Sequence, residues 1–260
     1  MKISSEKKEE TRLKIIRTAV EIITEKGLKT TTMKAIAKAA NIGEATIYNY
    51  FATKEAILFA YYEQQLQTCA KRLKAVQGFN KFTLQEQLQT FLETNLELFL
   101  PDREFVEESF KTIFFSLFQQ YKLLQPIRNL FFQIINEMFE AAVEVGEIPE
   151  QAFQEILFQF IWDYYIGIVM YWLNDRSDQF SDTSVLMDKS LGLACSFLKV
   201  GIVNKIFDIA QFLFKQHVLT RFDFFHQQVD TFQKIKREFM SENDDQRNTA
   251  RKMGKKRSRK

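Results

Sequence analysis

A chain of 260 residues with three prolines and eight glycines has very little with which to end a helix or turn a hairpin. Tight β-hairpins need Gly, Asn or Asp at their corners, whereas helices need breakers only at their ends. Between the few breakers run long stretches of Leu, Ile, Phe, Gln, Glu and Lys. The chain therefore reads as all-α. Its length suits one large domain, or a small one followed by a larger one. Phenylalanine, at 27 residues, is far above ordinary usage and supplies either a bulky core or an apolar cavity.

Local signals divide the chain. Residues 1–8 read as a short arm. A first helix is expected over 9–26, with Leu13, Ile16, Val20 and Ile23 on one face, and Gly27 as its left-handed cap. Thr32 is placed as the N-cap of a second helix, 33–40, that turns Ile36, Ala37 and Ala40 inward. Asn41 and Gly43 permit a tight turn. A third helix follows over 44–51 with Ile47 and Phe51 buried, and Thr53 caps a long fourth helix reaching about residue 76. Further helices are expected at 84–100, 103–121, 126–146, 150–174, 183–199 and 201–216, separated at Pro101, Pro126, Pro149 and the polar stretch 174–183. Residues 219–240 continue as an amphipathic segment, and from 241 the chain reads as a disordered tail. The expected division is 1–54, 55–240 and 241–260.

Two short helices joined by a tight turn, the second presenting Thr46, Tyr48, Asn49 and Tyr50, have the layout of a helix-turn-helix. That unit places its second helix in the DNA major groove. The stretch TTMKAIAKAANIGEATIYNYFATKEAIL resembles the N-terminal domain of the TetR/AcrR transcriptional regulators. Thr31–Thr32, Ile36–Ala37, Ala40, Thr46–Ile47–Tyr48, Tyr50–Phe51 and Lys54 stand at that family's spacing, and the similarity spans roughly residues 9–60.

The resemblance implies roles. Thr32 would offer its hydroxyl and nearby amides to a phosphate, and Lys34, near it, would reach the same strand. Ala45 and Thr46 open the recognition helix, where small side chains allow close approach and contact with a thymine methyl. Tyr48 and Tyr50 suit phosphate hydrogen bonds, Asn49 an adenine edge, and Lys54 a phosphate as a point charge. Plainer readings stand beside these: Tyr50 packing on the first helix, Asn49 bonding only backbone or water. Glu44 departs from the basic or polar residue common at this position. It suits a helix N-terminus, and either repels phosphate or accepts from a cytosine amine.

The resemblance also implies that the larger helical domain dimerises and holds a small-molecule effector, apolar or aromatic given the side chains available. Phe110, Phe114, Phe118 and Tyr121 form one helical stripe; Phe153, Leu157, Phe160, Tyr164, Ile168 and Tyr171 form another. Each stripe is either plain core or the wall of a ligand cavity. Asp163, between Trp162 and Tyr164, is either a buried carboxylate needing a partner or a surface acid. Leu186, Leu193 and Phe197, then Ile206, Phe207, Ala210 and Phe214, give two late helices broad apolar faces for a homodimer.

The last fourteen residues carry eight Lys or Arg and no acid, for solubility or for non-specific phosphate binding. Two histidines build no metal cluster, and no nucleophile elbow or phosphate-binding glycine loop is present, so no catalytic residue, metal or cofactor is expected. Cys69 and Cys195 read as reduced, buried thiols. The most apolar stretch, 156–173, is interrupted by Gln159 and Asp163, so no membrane span is expected. The expectation is a cytoplasmic, ligand-responsive repressor on a palindromic double-stranded DNA operator. The alternative is a helical adaptor of the same fold that works through a protein partner.

Overall fold

The computed structural model describes residues 5–114 and 121–213, and every element among them is helical. The helices are α1 (Ser5–Lys26), α2 (Met33–Ala39), α3 (Glu44–Ile47), α4 (Lys54–Ala75), α5 (Leu84–Phe99), α6 (Arg103–Phe114), α7 (Tyr121–Glu144), α8 (Gln154–Asn174), α9 (Ser181–Lys199) and α10 (Ile202–Leu213). Residues up to Ile202 belong to one compact unit, and those from Val203 to a second.

Where local chemistry ends a helix, the expected boundary holds. Gly27 adopts a left-handed φ of 80° and its N–H bonds Ile23 O at 2.8 Å, closing α1. The Thr32 hydroxyl accepts from Ala35 N at 3.2 Å and starts α2. Asn41, at φ 54°, turns the chain out of α2. Thr83 and Glu86 cap α5 reciprocally: the Thr83 hydroxyl accepts from Glu86 N while a Glu86 carboxylate oxygen accepts from Thr83 N.

Several boundaries differ from expectation. Helix α1 already begins at Ser5, so residues 5–8 are helical rather than a free arm. Pro126 lies inside α7 instead of starting a helix. It sits close enough to the N-terminus that its missing N–H removes a single bond from the first turns. Helix α8 starts at Gln154, after Phe153 takes a non-helical φ of −127° and ψ of 52°.

Helix α4 is central, packing on α1, α5, α6 and α7. Two groups of rings fill the interior. Tyr61, Tyr62, Phe99, Phe105 and Phe110 pack edge-on around α4 to α6. Phe131 sits between Phe91, Trp162 and Tyr165, with centroids 5.5, 5.0 and 5.2 Å away. The excess of phenylalanine is thus spent largely on ring-on-ring packing. Burial pushes the hydroxyls of Tyr62 and Tyr165 well above the ordinary tyrosine range. It raises the Cys69 thiol to about 12 and the Cys195 thiol to about 11.

Helix α8 is the one described helix long and apolar enough to cross a bilayer, yet Phe158, Trp162, Tyr165, Ile168, Val169 and Trp172 are buried within the protein. This buried row is rotated from the expected one. Ile168 is shared, but Phe160 is 62% exposed and Tyr171 43%. Asp163 is exposed too, its Oδ1 accepting from Gln159 Nε2 at 2.9 Å, so the buried-carboxylate alternative is excluded. Tyr164 is half-buried and exchanges a hydrogen bond with Ser190. The cause is that α8 is apolar nearly all round, which leaves periodicity no single face to select.

The buried carboxylate is instead Asp175, in the stretch expected to be a plain connector. Its Oδ1 accepts from the backbone and hydroxyl of Ser177, and its Oδ2 from those of Thr183, at 2.6–2.9 Å. These bonds, from the Ser177 and Thr183 hydroxyls foremost, hold the carboxyl far below the usual carboxylate range. Arg103 completes the corner, donating to Leu173 O at 2.7 Å and stacking on Trp172 and Phe180.

In the second unit, α10 leaves Ile206, Ile209 and Phe212 exposed. Phe118, the segment 219–240 and the basic tail lie outside the described residues, as do the side chains of Phe114 and Tyr121.

Candidate nucleic-acid interface

The expected reading surface begins with what is buried. Ile36, Ala37, Ala40 and Ile47 have essentially no exposure and lock α2 to α3 and to α1. Phe51 is buried, with the Arg12 guanidinium 5.6 Å above its ring. With this face fixed inward, the helical register forces the neighbouring positions out. Glu44, Ala45, Thr46, Tyr48 and Asn49 are all exposed, Tyr48 at 56%. Tyr50 is half-buried, between its two expected readings.

Helix α3 is shorter than expected. After Ile47 the chain tightens, with Asn49 N bonding Thr46 O at 3.1 Å and Tyr50 N bonding Ile47 O at 3.0 Å. Such three-residue bonds are common where an α-helix ends, and they keep Tyr48 and Asn49 on the outer wall. Thr32 stands exposed at the N-terminus of α2, its hydroxyl already engaged as the cap.

Two lysines stand differently from expectation. Lys34 pairs with Glu44 at 2.9 Å across the turn, and this bond and charge hold its ammonium above the ordinary lysine range. Lys54 is half-buried, and its Nζ donates to Leu28 O at 2.5 Å and to Thr31 O at 3.0 Å. A cation in the first turn of α4 faces the unfavourable end of the helix dipole. The two carbonyls offset that cost, so Lys54 works as a clamp on the 27–31 loop.

Further ties join this head to α6 and to the short turn of residues 100–102 before it. Leu28 N donates to Glu108 Oε1 at 3.1 Å. Arg17 Nη1 donates to Asp102 Oδ1 at 3.2 Å, and Tyr61 OH donates to Asp102 Oδ2 at 3.2 Å. Sequence reasoning missed these contacts, because nothing local marks residues 102 and 108 as partners of residues 17 and 28.

Helices α1 and α2, packed by their apolar faces and presenting α3 with Tyr48 and Asn49 just after it, define a helix-turn-helix protein that binds DNA to regulate transcription. Residues 15–61 match the bacterial regulatory proteins of the tetR family, and residues 87–213 match the tetracyclin repressor-like C-terminal domain. The chain belongs to the TetR family of transcriptional regulators. It is 26% identical over 193 residues to the fatty acid metabolism regulator protein of Bacillus subtilis (strain 168), covering 74% of this chain and 96% of that protein. It shares its fold with the transcriptional regulator FadR from Bacillus subtilis in complex with stearoyl-CoA. That likeness has 24% identity and a TM-score of 0.54, over 69% of this chain and 96% of the other. Thermus thermophilus FadR, a TetR-family repressor in complex with lauroyl-CoA, matches at 22% identity and a TM-score of 0.54, over 70% and 92% of the two chains. Residues 214–260 lie beyond both family matches.

Proposed function

We propose that this protein is a cytoplasmic repressor that binds a palindromic operator as a homodimer and releases it when a long-chain acyl-CoA, or an effector of similar amphiphilic chemistry, binds the larger helical bundle. The observation that carries the reading is the exposed row Ala45, Thr46, Tyr48 and Asn49 on a rigidly buried α2–α3 support. Small side chains at the start of α3 permit close approach to base edges. Tyr48 and Asn49 supply hydrogen bonds to phosphate and base, and Thr32 and Tyr50 flank the row.

Support for the dimer comes from α8 and α9. Phe160 and Tyr171 on the first, and Leu193 and Phe197 on the second, expose large apolar surfaces on two helices that pack side by side. Such a patch on a folded protein calls for a partner. A second copy would bury it in an isologous interface and space two heads for a palindrome.

Support for the effector comes from the relatives in complex with stearoyl-CoA and lauroyl-CoA; a half-open apolar crevice of about 170 Å³ among α4, α5 and α7, lined by Leu73, Phe79, Ile134 and Met138, has room for only part of such a molecule. Among the expected lining residues, Phe110 and Ile168 are buried, while Phe160 and Asp163 are exposed.

The test is gel retardation of the upstream DNA fragment with and without stearoyl-CoA. Specific retardation is expected, falling steeply with salt and relieved by micromolar acyl-CoA. Retardation that persists unchanged at saturating acyl-CoA removes the effector assignment. Light scattering should give a dimer, and Phe197→Asp should give a monomer that binds operator weakly. A wild-type monomer removes the palindrome.

A further inference from the structure

Glu44 is the single acid between Thr30 and Lys54, and it stands at the leading end of the surface meant to meet a polyanion. Its side chain is exposed, one residue before Ala45 and one helical turn before Tyr48. A bare carboxylate there would oppose every phosphate it approached. In the structure it is not bare: the Lys34 ammonium, projecting from α2, holds it at 2.9 Å. An exposed ion pair adds little to folding. Its effect here is to cancel the charge locally and to fix the direction in which the carboxylate points.

We infer that Glu44 is a specificity determinant, its carboxylate oriented by Lys34 so that it accepts a hydrogen bond from the N4 amino group of a cytosine in the major groove. The inference rests on the DNA-binding assignment and adds to it a base preference. The chemistry selects the base. A carboxylate is an acceptor only. Guanine and thymine turn acceptors toward the major groove, so both oppose it. Adenine offers its N6 donor beside the N7 acceptor, which opposes the second carboxylate oxygen. Cytosine offers the N4 donor without an acceptor of its own alongside it. Lys34 takes one oxygen of the carboxylate and leaves the other for the base. The neighbouring Ala45 is too small to block the approach.

The experiment selects binding sites from a randomised duplex pool with the full-length protein, its Glu44→Ala variant and its Glu44→Gln variant. The wild type should enrich cytosine at one position of each half-site. Glu44→Ala should keep the rest of the site but accept any base there. Glu44→Gln, which gains a donor, should move the preference to adenine. Replacing that cytosine should weaken wild-type binding at least about 5-fold and leave the Glu44→Ala variant unchanged. Because Glu44 is exposed, both variants should keep the wild-type melting temperature, so a lost preference cannot come from unfolding.

The same base enriched by all three proteins overturns the inference. So does a Glu44→Ala variant that binds every sequence more tightly by one common factor, which would make the carboxylate only a brake on phosphate contact. A wild-type pool with no enriched sequence removes the specific DNA reading as well, whereas an enriched site indifferent to Glu44 removes this inference alone.

Discussion

Replacing Lys54 with methionine separates two roles that the same side chain could play. Methionine keeps the aliphatic stem and removes the ammonium, and with it the bonds to Leu28 O and Thr31 O. Hydrogen bonds with a charged partner contribute about 1.5–3 kcal/mol each when buried. Lys54 is half-buried, so the lower end applies, and losing two bonds should cost about 2–3 kcal/mol. The removed cation sat at the wrong end of the α4 dipole, which returns a few tenths of a kcal/mol. For a unit of this size, 1 kcal/mol moves the midpoint by about 2–4 °C. Thermal unfolding followed by circular dichroism should therefore drop by about 5–10 °C. The companion measurement is operator affinity as a function of salt. A lysine on a phosphate contributes about 0.9 to the slope of log K against log salt. A clamp contributes nothing, so the variant should keep the wild-type slope. An unchanged midpoint with a slope shallower by about 0.9 per subunit would refute the clamp and restore Lys54 as a phosphate contact.

Glu108→Ala removes the acceptor for Leu28 N and loosens the head from α6. The ratio of operator affinities without and with stearoyl-CoA should fall several-fold while affinity without effector changes little, and an unchanged ratio refutes the coupling. Phe131→Ala opens a cavity among Phe91, Trp162 and Tyr165 and should cost about 3–5 kcal/mol in urea unfolding; a loss under about 1 kcal/mol would show that those rings are not close-packed. Asp175→Asn should destabilise the α8–α9 corner in a pH-dependent way. The folded carboxyl is depressed, so its contribution is complete above the unfolded value near 3.9 and fades as pH falls below that value toward the folded one. The stability gap between wild type and variant should therefore be constant from pH 7 to about pH 5 and narrow below pH 4; a gap that widens in acid contradicts the assignment.

The head was legible in the sequence because its instructions are local. Thr32 and Asn41 act within four residues of themselves, whereas Gly43 takes an ordinary extended conformation, and Ile36, Ala37 and Ile47 fall on faces that short amphipathic helices make unambiguous. Helix α8 was not legible, since a helix apolar on every side gives two equally good rows, and only contact with α5, α6, α7 and α9 decides which faces inward. Asp175 escaped for a related reason. A polar stretch reads as solvated connector until the fold places four donors from Ser177 and Thr183 around one carboxylate. Lys54 shows the limit of motif reading, because its presence matches the family pattern while its carbonyl partners lie 23 and 26 residues away in sequence.

The short loop of residues 27–31 is gripped from two sides. Lys54 draws its carbonyls toward the start of α4, and Glu108 draws the Leu28 amide toward the middle of α6. A peptide pinned to two different helices works as a differential. If α4 and α6 move together, the loop rides with them and the reading helix keeps its aim. If they slide past one another, the loop must let go of one helix or tilt α2 and α3 with the other. A relative slide of α4 and α6 would therefore act on this loop, whereas a joint movement would leave its two anchors in register.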